Sequence, residues 1–406
     1  MNSLALIARH SLQGGRTFVR TLGSLGVAHV PTAWRYAIGR PFPCRSDREH
    51  LIATLAWLCR AQEVSGGGGV SAAFSLRDGW DVPYPETSGY ITGTFLAAAD
   101  YLGQKSLFDC ARRIGDWEIS IQASSGGVYS RPGGGPTRVF NTGQVILGWC
   151  ALFEQTEDEQ YLDAARRAGT YLVSLQELDG TWRRDTYCGP RTYHARVDWG
   201  LLRLARLTGD SRYAESAQRN LRWVLAQQQD NGWFKNCGFH EADPITHVID
   251  YTLIGLIECI LLDSTVFDRN PASLIAQSAS AICTIVENSE VGGAAGMIPA
   301  SFDSLWVSRD DHSCLTGNAQ LAYTLLRLHG LTGVSRYESC ADLLIAALKC
   351  TQTLSESLEN VRGGLPGSFP MCRGYLPNSF PNWGAKFFAD ALLASLMRAK
   401  GCFVAA

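Results

Sequence analysis

The chain has 406 residues, with 36 Lys and Arg against 38 Asp and Glu and a formal net charge of −2. No whole-chain field exists to hold a nucleic acid or an anionic membrane, so neither is an expected partner. Charged residues make up 18% against about 25% in ordinary soluble domains, and hydrophobic residues 46%. That balance predicts much interior and disfavours disorder, coiled coil and acidic or basic tails.

Residues 1–45 read as a basic N-terminal extension. Arg9, Arg16, Arg20, Arg35 and Arg40 fall in the first 40 positions with no acid and no apolar signal-type run. No stretch is long and apolar enough for a transmembrane segment. The 13 cysteines include no C-x-x-C pair, and Cys59, Cys150, Cys259, Cys283 and Cys340 sit in apolar helical pattern, where Cys packs as a small hydrophobe. A reducing, cytoplasmic setting without a disulfide framework is expected, the basic extension being the segment suited to a membrane surface.

From residue 46 to 402 the chain reads as one repeating domain. A helix ending in Gln is followed by Gly: Gln62 before Gly66, Gln122 before Gly126, Gln176 before Gly180 and Gln228 before Gly232, spaced 60, 54 and 52 residues apart. Weaker copies end at Gly292 and at Gly363, giving six units. In each, a charged amphipathic helix precedes a long Gly-rich loop and then a nearly uncharged helix: Ser88–Leu102, Thr142–Gln155, Ala195–Thr208, His247–Leu262, Asn318–Leu328 and Ala385–Arg398. Polar-faced helices belong outside and apolar ones inside. The predicted fold is all-α, an (α/α)6 toroid of six outer and six inner helices with long loops at one mouth.

All six inner helices then begin at that mouth. Ser, Thr and Asn in their first turns read as N-caps. Glu86, Asn141, Tyr193, His194, Arg196, His247, Asp250 and Tyr251 remain as groups with chemistry to offer, and helix N-termini favour an anionic ligand among them. The loops add Arg138, Arg184, Trp80, Tyr84, Trp182, Tyr187, Trp233, Trp306, Tyr375 and Trp383, with Lys386 on the last inner helix. Aromatic faces stack on sugars and guanidinium groups pair with carboxylates, so an acidic polysaccharide or oligosaccharide is the expected partner.

Two chemistries compete. Abstraction of a uronate C5 proton, by a lyase or an epimerase, needs a carboxylate neutraliser, a base and an acid. Asn141 with Arg138 or Arg196 suits the first role, His194 or His247 the second, Tyr193 or Tyr251 the third. A glycoside hydrolase instead needs two carboxyl groups, here Glu86 with Asp250 or Asp198. The spacing Gln176-x-x-x-Gly180-x-Trp182 also resembles the QW repeat of triterpene cyclases, but the acidic D-x-D-D run of that family is missing. No cofactor and no metal is required by any motif; His240, Glu241, Asp243 and His247 are the one group near enough in sequence to keep a divalent ion in view.

The stretch Gly363-Gly364-Leu365-Pro366-Gly367-Ser368-Phe369-Pro370, with Tyr375 and Pro381-Asn382-Trp383-Gly384-Ala385-Lys386-Phe387-Phe388-Ala389-Asp390-Ala391-Leu392, resembles the last repeat of proteins of bacterial exopolysaccharide machinery. It is also similar to the C-terminal domain of D-glucuronyl C5-epimerases. Glu86-Thr87-Ser88-Gly89-Tyr90-Ile91 resembles the first inner helix of the same bacterial group, and the whole repeat looks like (α/α)6 polysaccharide lyases and glycoside hydrolases. The resemblance covers roughly residues 50–400. It implies an α/α toroid acting on a bacterial polysaccharide, in association with an exopolysaccharide assembly complex. The Tyr, Glu and Arg groups that the epimerases keep around a uronate would correspond to Tyr193, Tyr251, Glu86 and Arg196. A non-catalytic polysaccharide-binding subunit of that complex is the alternative from another class.

Overall fold

The computed structural model describes residues 30–37, 41–239, 243–267, 271–355 and 359–401. A short helix α1 (Val30–Ala37) precedes twelve longer ones: α2 (Asp47–Glu63), α3 (Pro85–Leu102), α4 (Lys105–Ile121), α5 (Val139–Thr156), α6 (Glu159–Leu175), α7 (Ala195–Thr208), α8 (Ser211–Leu225), α9 (Thr246–Leu262), α10 (Pro271–Asn288), α11 (Leu315–Thr332), α12 (Ser335–Lys349) and α13 (Asn382–Ala399). From α3 onward the odd-numbered helices form an inner ring. Each packs on the next, and α13 returns to α3, so the ring closes. The helices α2 to α12 of even number lie outside.

Sequence dictates which layer each helix joins. On α8 only Tyr213, Ser216, Ala217, Asn220, Leu221 and Val224 are buried, one stripe at spacings of three and four. On α9 every residue from Thr246 to Ile260 is buried. Inner helices touch through small residues: a Cβ on Gly148 of α5 would lie 2.4 Å from the Gly89 carbonyl oxygen of α3.

The repeated Gln has a structural task that its spacing alone does not reveal. Gln62 Nε2 donates to the Gly68 and Cys110 carbonyls, Gln122 to Gly126 and Ala164, and Gln176 to Gly180 and Ser216. Each therefore ties its own loop to the next outer helix. Gln352 is the sixth copy, donating to the Gly363 carbonyl and to Thr54 on α2, which fastens the last unit to the first. Gly363 itself sits at φ 82° with its would-be Cβ 2.0 Å from the Ala53 carbonyl oxygen, so no side chain fits at that closure.

The inner helices α3, α5, α11 and α13 start about one turn earlier than their sequence suggests, α9 one residue earlier, and α7 at Ala195 as expected. Tyr84, Arg138, Ile245, Cys314 and Pro381 are the capping positions and make no side-chain cap bond. The expected caps fasten loops instead. Ser88 Oγ and Thr142 Oγ1 accept from the Val70 and Val128 amides, Asn318 Oδ1 accepts from Ile298 N, and Asn382 Nδ2 donates to the Ser71 carbonyl. Short antiparallel ribbons stiffen the loops: Ala73–Ser75 lies between Gly79–Trp80 and Ser379–Pro381, with Phe74 opposite both Trp80 and Phe380, and Tyr129–Arg131 pairs with Gly134–Thr137.

Part of the N-terminal extension docks on this frame. Tyr36 of α1 is buried against Phe42 and Phe380, at 5.2 and 5.9 Å between ring centres. Beside it the seam between the first and last outer helices is held by Phe42 N to the Cys350 carbonyl at 2.8 Å and by Lys349 with Asp47 at 2.7 Å. The Cys44 and Cys350 sulfurs, both free thiols, are 2.8 Å apart at the same seam. Treatment with diamide is expected to join them, with loss of two titratable thiols and a gain of about 2–4 kcal/mol in stability. Thiol titration and thermal melting of the oxidised chain, with Cys44→Ser as control, check it. Among the described residues no helix is long and apolar enough to cross a membrane.

Candidate active site

The first turns of the inner helices converge as the repeat predicts. Glu86 of α3, Asn141 of α5, and His247 and Tyr251 of α9 lie together near the barrel axis, all but fully buried. Above them Tyr84, Tyr187, Tyr375 and Trp383 form an aromatic roof. The Trp383 Nε1 donates to the Tyr375 hydroxyl at 3.1 Å, and the Tyr84 and Trp383 rings stand 6.4 Å apart. Arg138 holds the roof down, its guanidinium donating to the Thr186 carbonyl and lying 4.9 Å from the Tyr187 ring centre.

Three short contacts run in series through this roof. Glu86 Oε2 is 2.9 Å from the Tyr84 hydroxyl, which is 2.7 Å from the Tyr187 hydroxyl, which is 2.9 Å from Asn141 Oδ1. The Asn141 orientation is set by its Nδ2, which donates to the Tyr129 carbonyl. The Tyr84 hydroxyl donates to Glu86 Oε2 and the Tyr187 hydroxyl to Asn141 Oδ1, with a longer approach of 3.5 Å from Tyr187 to the same carboxyl oxygen. Burial pushes the Glu86 carboxyl up to about 7, against the opposing effects of Tyr84, Arg196 and Tyr187.

Because this acid sits above its ordinary value of 4.5, its ionisation costs stability. Below pH 4.5 it is protonated whether folded or not, and nothing is lost. Between 4.5 and 7 the unfolded chain ionises first, so stability falls, and above 7 the full loss of about 3 kcal/mol applies. Glu86→Gln is accordingly expected to match the native protein at low pH and to exceed it by that amount above neutrality, as measured by urea unfolding across the range. A difference independent of pH would mean that the folded carboxyl is ionised.

One turn deeper lies Arg196 of α7. It is 1% exposed, its Nε donates to Gln144 Oε1 at 2.8 Å, and its guanidinium carbon lies 5.2 Å from the Tyr251 ring centre and 5.6 Å from that of Tyr90. Asp250 is also buried, and burial pushes its carboxyl up to about 7, opposed by the Thr324 hydroxyl and by Arg196. The same guanidinium therefore offsets both Glu86 and Asp250. His247 donates from Nδ1 to Gln320 Oε1 at 2.7 Å, which leaves Nε2 unprotonated; burial pushes the ring down to about 4, so it is neutral in ordinary buffers. Its ring centre is 4.6 Å from that of Tyr251.

Other expected site residues lie elsewhere. His194 ends the turn Thr192–His194 and packs edge-on against Trp182, whose Nε1 donates to the Leu172 carbonyl of outer helix α6. Both residues thus belong to the contact between layers, and His194 is pushed down to about 3 by burial and Arg191. Asp198 falls about 200° around α7 from Arg196, buried with no hydrogen-bond partner for either oxygen among the described residues. Trp80 packs on Trp57 and Phe74, while Trp233 and Trp306 pack on each other at 5.0 Å. Arg184 is exposed and 4.0 Å from Glu177. These aromatics anchor loops to the barrel wall. Lys386 lies deeper than the mouth, bonded to Asp390. Tyr193 does line the mouth, 5.2 Å from Phe140 and 5.5 Å from Phe239. Among the described residues no group of three or more metal-binding side chains converges; His240 and Glu241 lie outside them. Tyr187 and Tyr375 gave only a generic loop-aromatic signal, and Gln144 and Gln320 gave none.

The solved structure of an unsaturated glucuronyl hydrolase specific for heparin superposes with a TM-score of 0.71 at 13% identity, over 87% of this chain and 98% of that one. A sugar epimerase from a ruminal bacterium gives 0.70 at 12% identity, over 88% and 99%. A polysaccharide lyase gives 0.62 at 13%, over 88% and 99%. The chain carries the (α/α)6-toroid fold. Hydrolase, epimerase and lyase share that frame, so fold alone does not choose between them. A family model described as the catalytic domain of β-L-arabinofuranosidase, GH127, matches residues 86–258, a segment that begins at Glu86 and includes Asp250. No curated protein matches the chain.

Proposed function

We propose that the protein is a carbohydrate-active enzyme that hydrolyses a glycosidic bond in an acidic polysaccharide at the mouth of the barrel. Glu86 donates the proton to the leaving oxygen, and Asp250 supplies the second carboxyl. The observation that carries this reading is the buried Glu86 carboxyl at the mouth, bonded to the Tyr84 hydroxyl and pushed up to about 7 by burial. The Tyr187 hydroxyl stands where a sugar hydroxyl would bond to Glu86 and Asn141, so substrate enters as the Tyr187 loop lifts. The match of residues 86–258 to a glycosidase domain supports the same reading.

A second reading, abstraction of a uronate C5 proton, is favoured by one observation: a neutral His247 with Nε2 free, beside Tyr251 and above Arg196. His194 takes no part in either. Incubation with uronate-containing oligosaccharides separates the two. New reducing ends without absorbance in the unsaturated-uronate band mean hydrolysis. Absorbance means elimination, and solvent deuterium at C5 without cleavage means epimerisation. Binding with none of these is the behaviour of a polysaccharide-holding subunit in an exopolysaccharide assembly complex.

A further inference from the structure

A cavity of about 590 Å³ lies deeper in the barrel than the mouth, running from Tyr90, Arg196 and Lys386 in the first halves of inner helices to Tyr101, Gln155 and Met397 near their C-terminal ends. Its size falls within the range of small-ligand sites, and none of Glu86, Asn141, His247 or Tyr251 lines it. We propose that this cavity binds a carboxylate-bearing monosaccharide, with Arg196 receiving the carboxylate.

Charge bookkeeping around the walls points to Arg196. Arg327 is bonded to Glu258 at 2.8 and 2.9 Å, Arg203 is paired with Glu154, and Lys386 with Asp390. Each of these cations meets a carboxylate. Among the described residues Arg196 has the Gln144 amide as its hydrogen-bond acceptor and the Tyr90, Trp199, Tyr251 and Phe387 rings about its guanidinium, and its Nη2 is buried without a hydrogen-bond partner. The inner helices turn their carbonyl ends towards the Tyr101, Gln155 and Met397 end of this cavity, so their dipoles disfavour a free anion there. An anion held here depends on the guanidinium, whose planar fork fits a carboxylate.

The remaining walls suit a sugar body. Trp199 and Tyr323 offer aromatic faces, while the paired Arg203, Glu154 and Asp390 offer donors and acceptors for hydroxyls. Gly93 supports a cavity kept open: it lies in the middle of α3, where glycine weakens a helix, yet a Cβ there would meet nothing within 4 Å. Its neighbours Gly89 and Gly148, by contrast, are glycines because helices touch there.

Isothermal titration of the full chain with D-glucuronate, D-glucose and acetate tests the site in native protein, Gly93→Leu, Gly93→Ala and Glu86→Gln, each checked for helicity by circular dichroism. D-glucuronate is expected to saturate one site on the native protein, on Gly93→Ala and on Glu86→Gln. Gly93→Leu, which fills the cavity, is expected to bind at least about tenfold more weakly. Glucose, lacking the carboxylate, and acetate, lacking the ring, should each fall short of glucuronate by a similar factor. Unchanged binding to folded Gly93→Leu, loss confined to Glu86→Gln, equal binding of glucose or of acetate, or no saturable binding of glucuronate would each overturn the proposal. Failure here leaves the mouth reading standing, because reducing-end release by the native chain is read separately.

Discussion

Glu86→Gln is expected to reduce turnover by about 10²- to 10⁴-fold, the usual worth of a positioned proton donor. The substitution keeps a carbonyl oxygen at residue 86 that can still accept from the Tyr84 hydroxyl, so the roof and its contacts persist. What disappears is the proton that can leave. The loss should fall on kcat, because the transferred proton matters only as the leaving oxygen develops charge. Steady-state release of reducing ends, with thermal melting to confirm an intact fold, checks it. A variant retaining most of the native turnover would remove Glu86 from the chemistry. A loss expressed wholly in KM would instead make it a binding residue.

The largest effect on stability is expected at the base of the barrel. Arg327 and Glu258 form a bidentate pair with side chains 7% and 2% exposed, and the Tyr323 hydroxyl also donates to Glu258 at 3.3 Å. Two charges removed from water hold each other, so removing one strands the other. Arg327→Leu is expected to cost about 3–5 kcal/mol, while replacing both residues by Leu should recover most of that loss. Urea unfolding of the single and double variants decides it. Equal losses in both would show that side-chain volume rather than charge stabilises this part of the barrel.

The fold was legible because its signal is periodic. Gln followed by Gly recurs where a helix end must turn beneath the next outer helix, and inner helices lack charges for the plain reason that protein surrounds them. The weak sixth copy has its Gln352, although a longer stretch before Gly363 concealed the spacing. The site was legible only as a set. Glu86, Asn141 and His247 occupy first turns and Tyr251 the turn after, and their side chains meet at the mouth. His194 occupies an equivalent place in the sequence, but it ends a 3-10 turn, and its ring points at Trp182 between the layers. Direction around a helix start depends on such local winding, and spacing does not carry it.

The loop aromatics misled for a related reason. A Trp near a mouth can face a ligand or pin its own loop, and composition is the same either way. Trp182, Trp233, Trp306 and Trp80 pin, whereas Tyr84, Tyr187, Tyr375 and Trp383 roof the site. The phenols stand out once atoms are placed, because their hydroxyls join Glu86 to Asn141 across three separate segments. Such a chain is invisible in sequence, since Tyr84 and Tyr187 are 103 residues apart.

In the proposed reaction a protonated Glu86 meets the glycosidic oxygen at the mouth of the barrel. A crystal structure of Glu86→Gln soaked with a uronate-containing oligosaccharide decides it. The glycosidic oxygen should lie within about 3 Å of the residue 86 amide, with the Tyr187 hydroxyl displaced from Asn141. An oligosaccharide seated with its nearest glycosidic oxygen beyond the reach of residue 86, or with the C5 hydrogen of a uronate facing His247 Nε2 instead, would contradict the account.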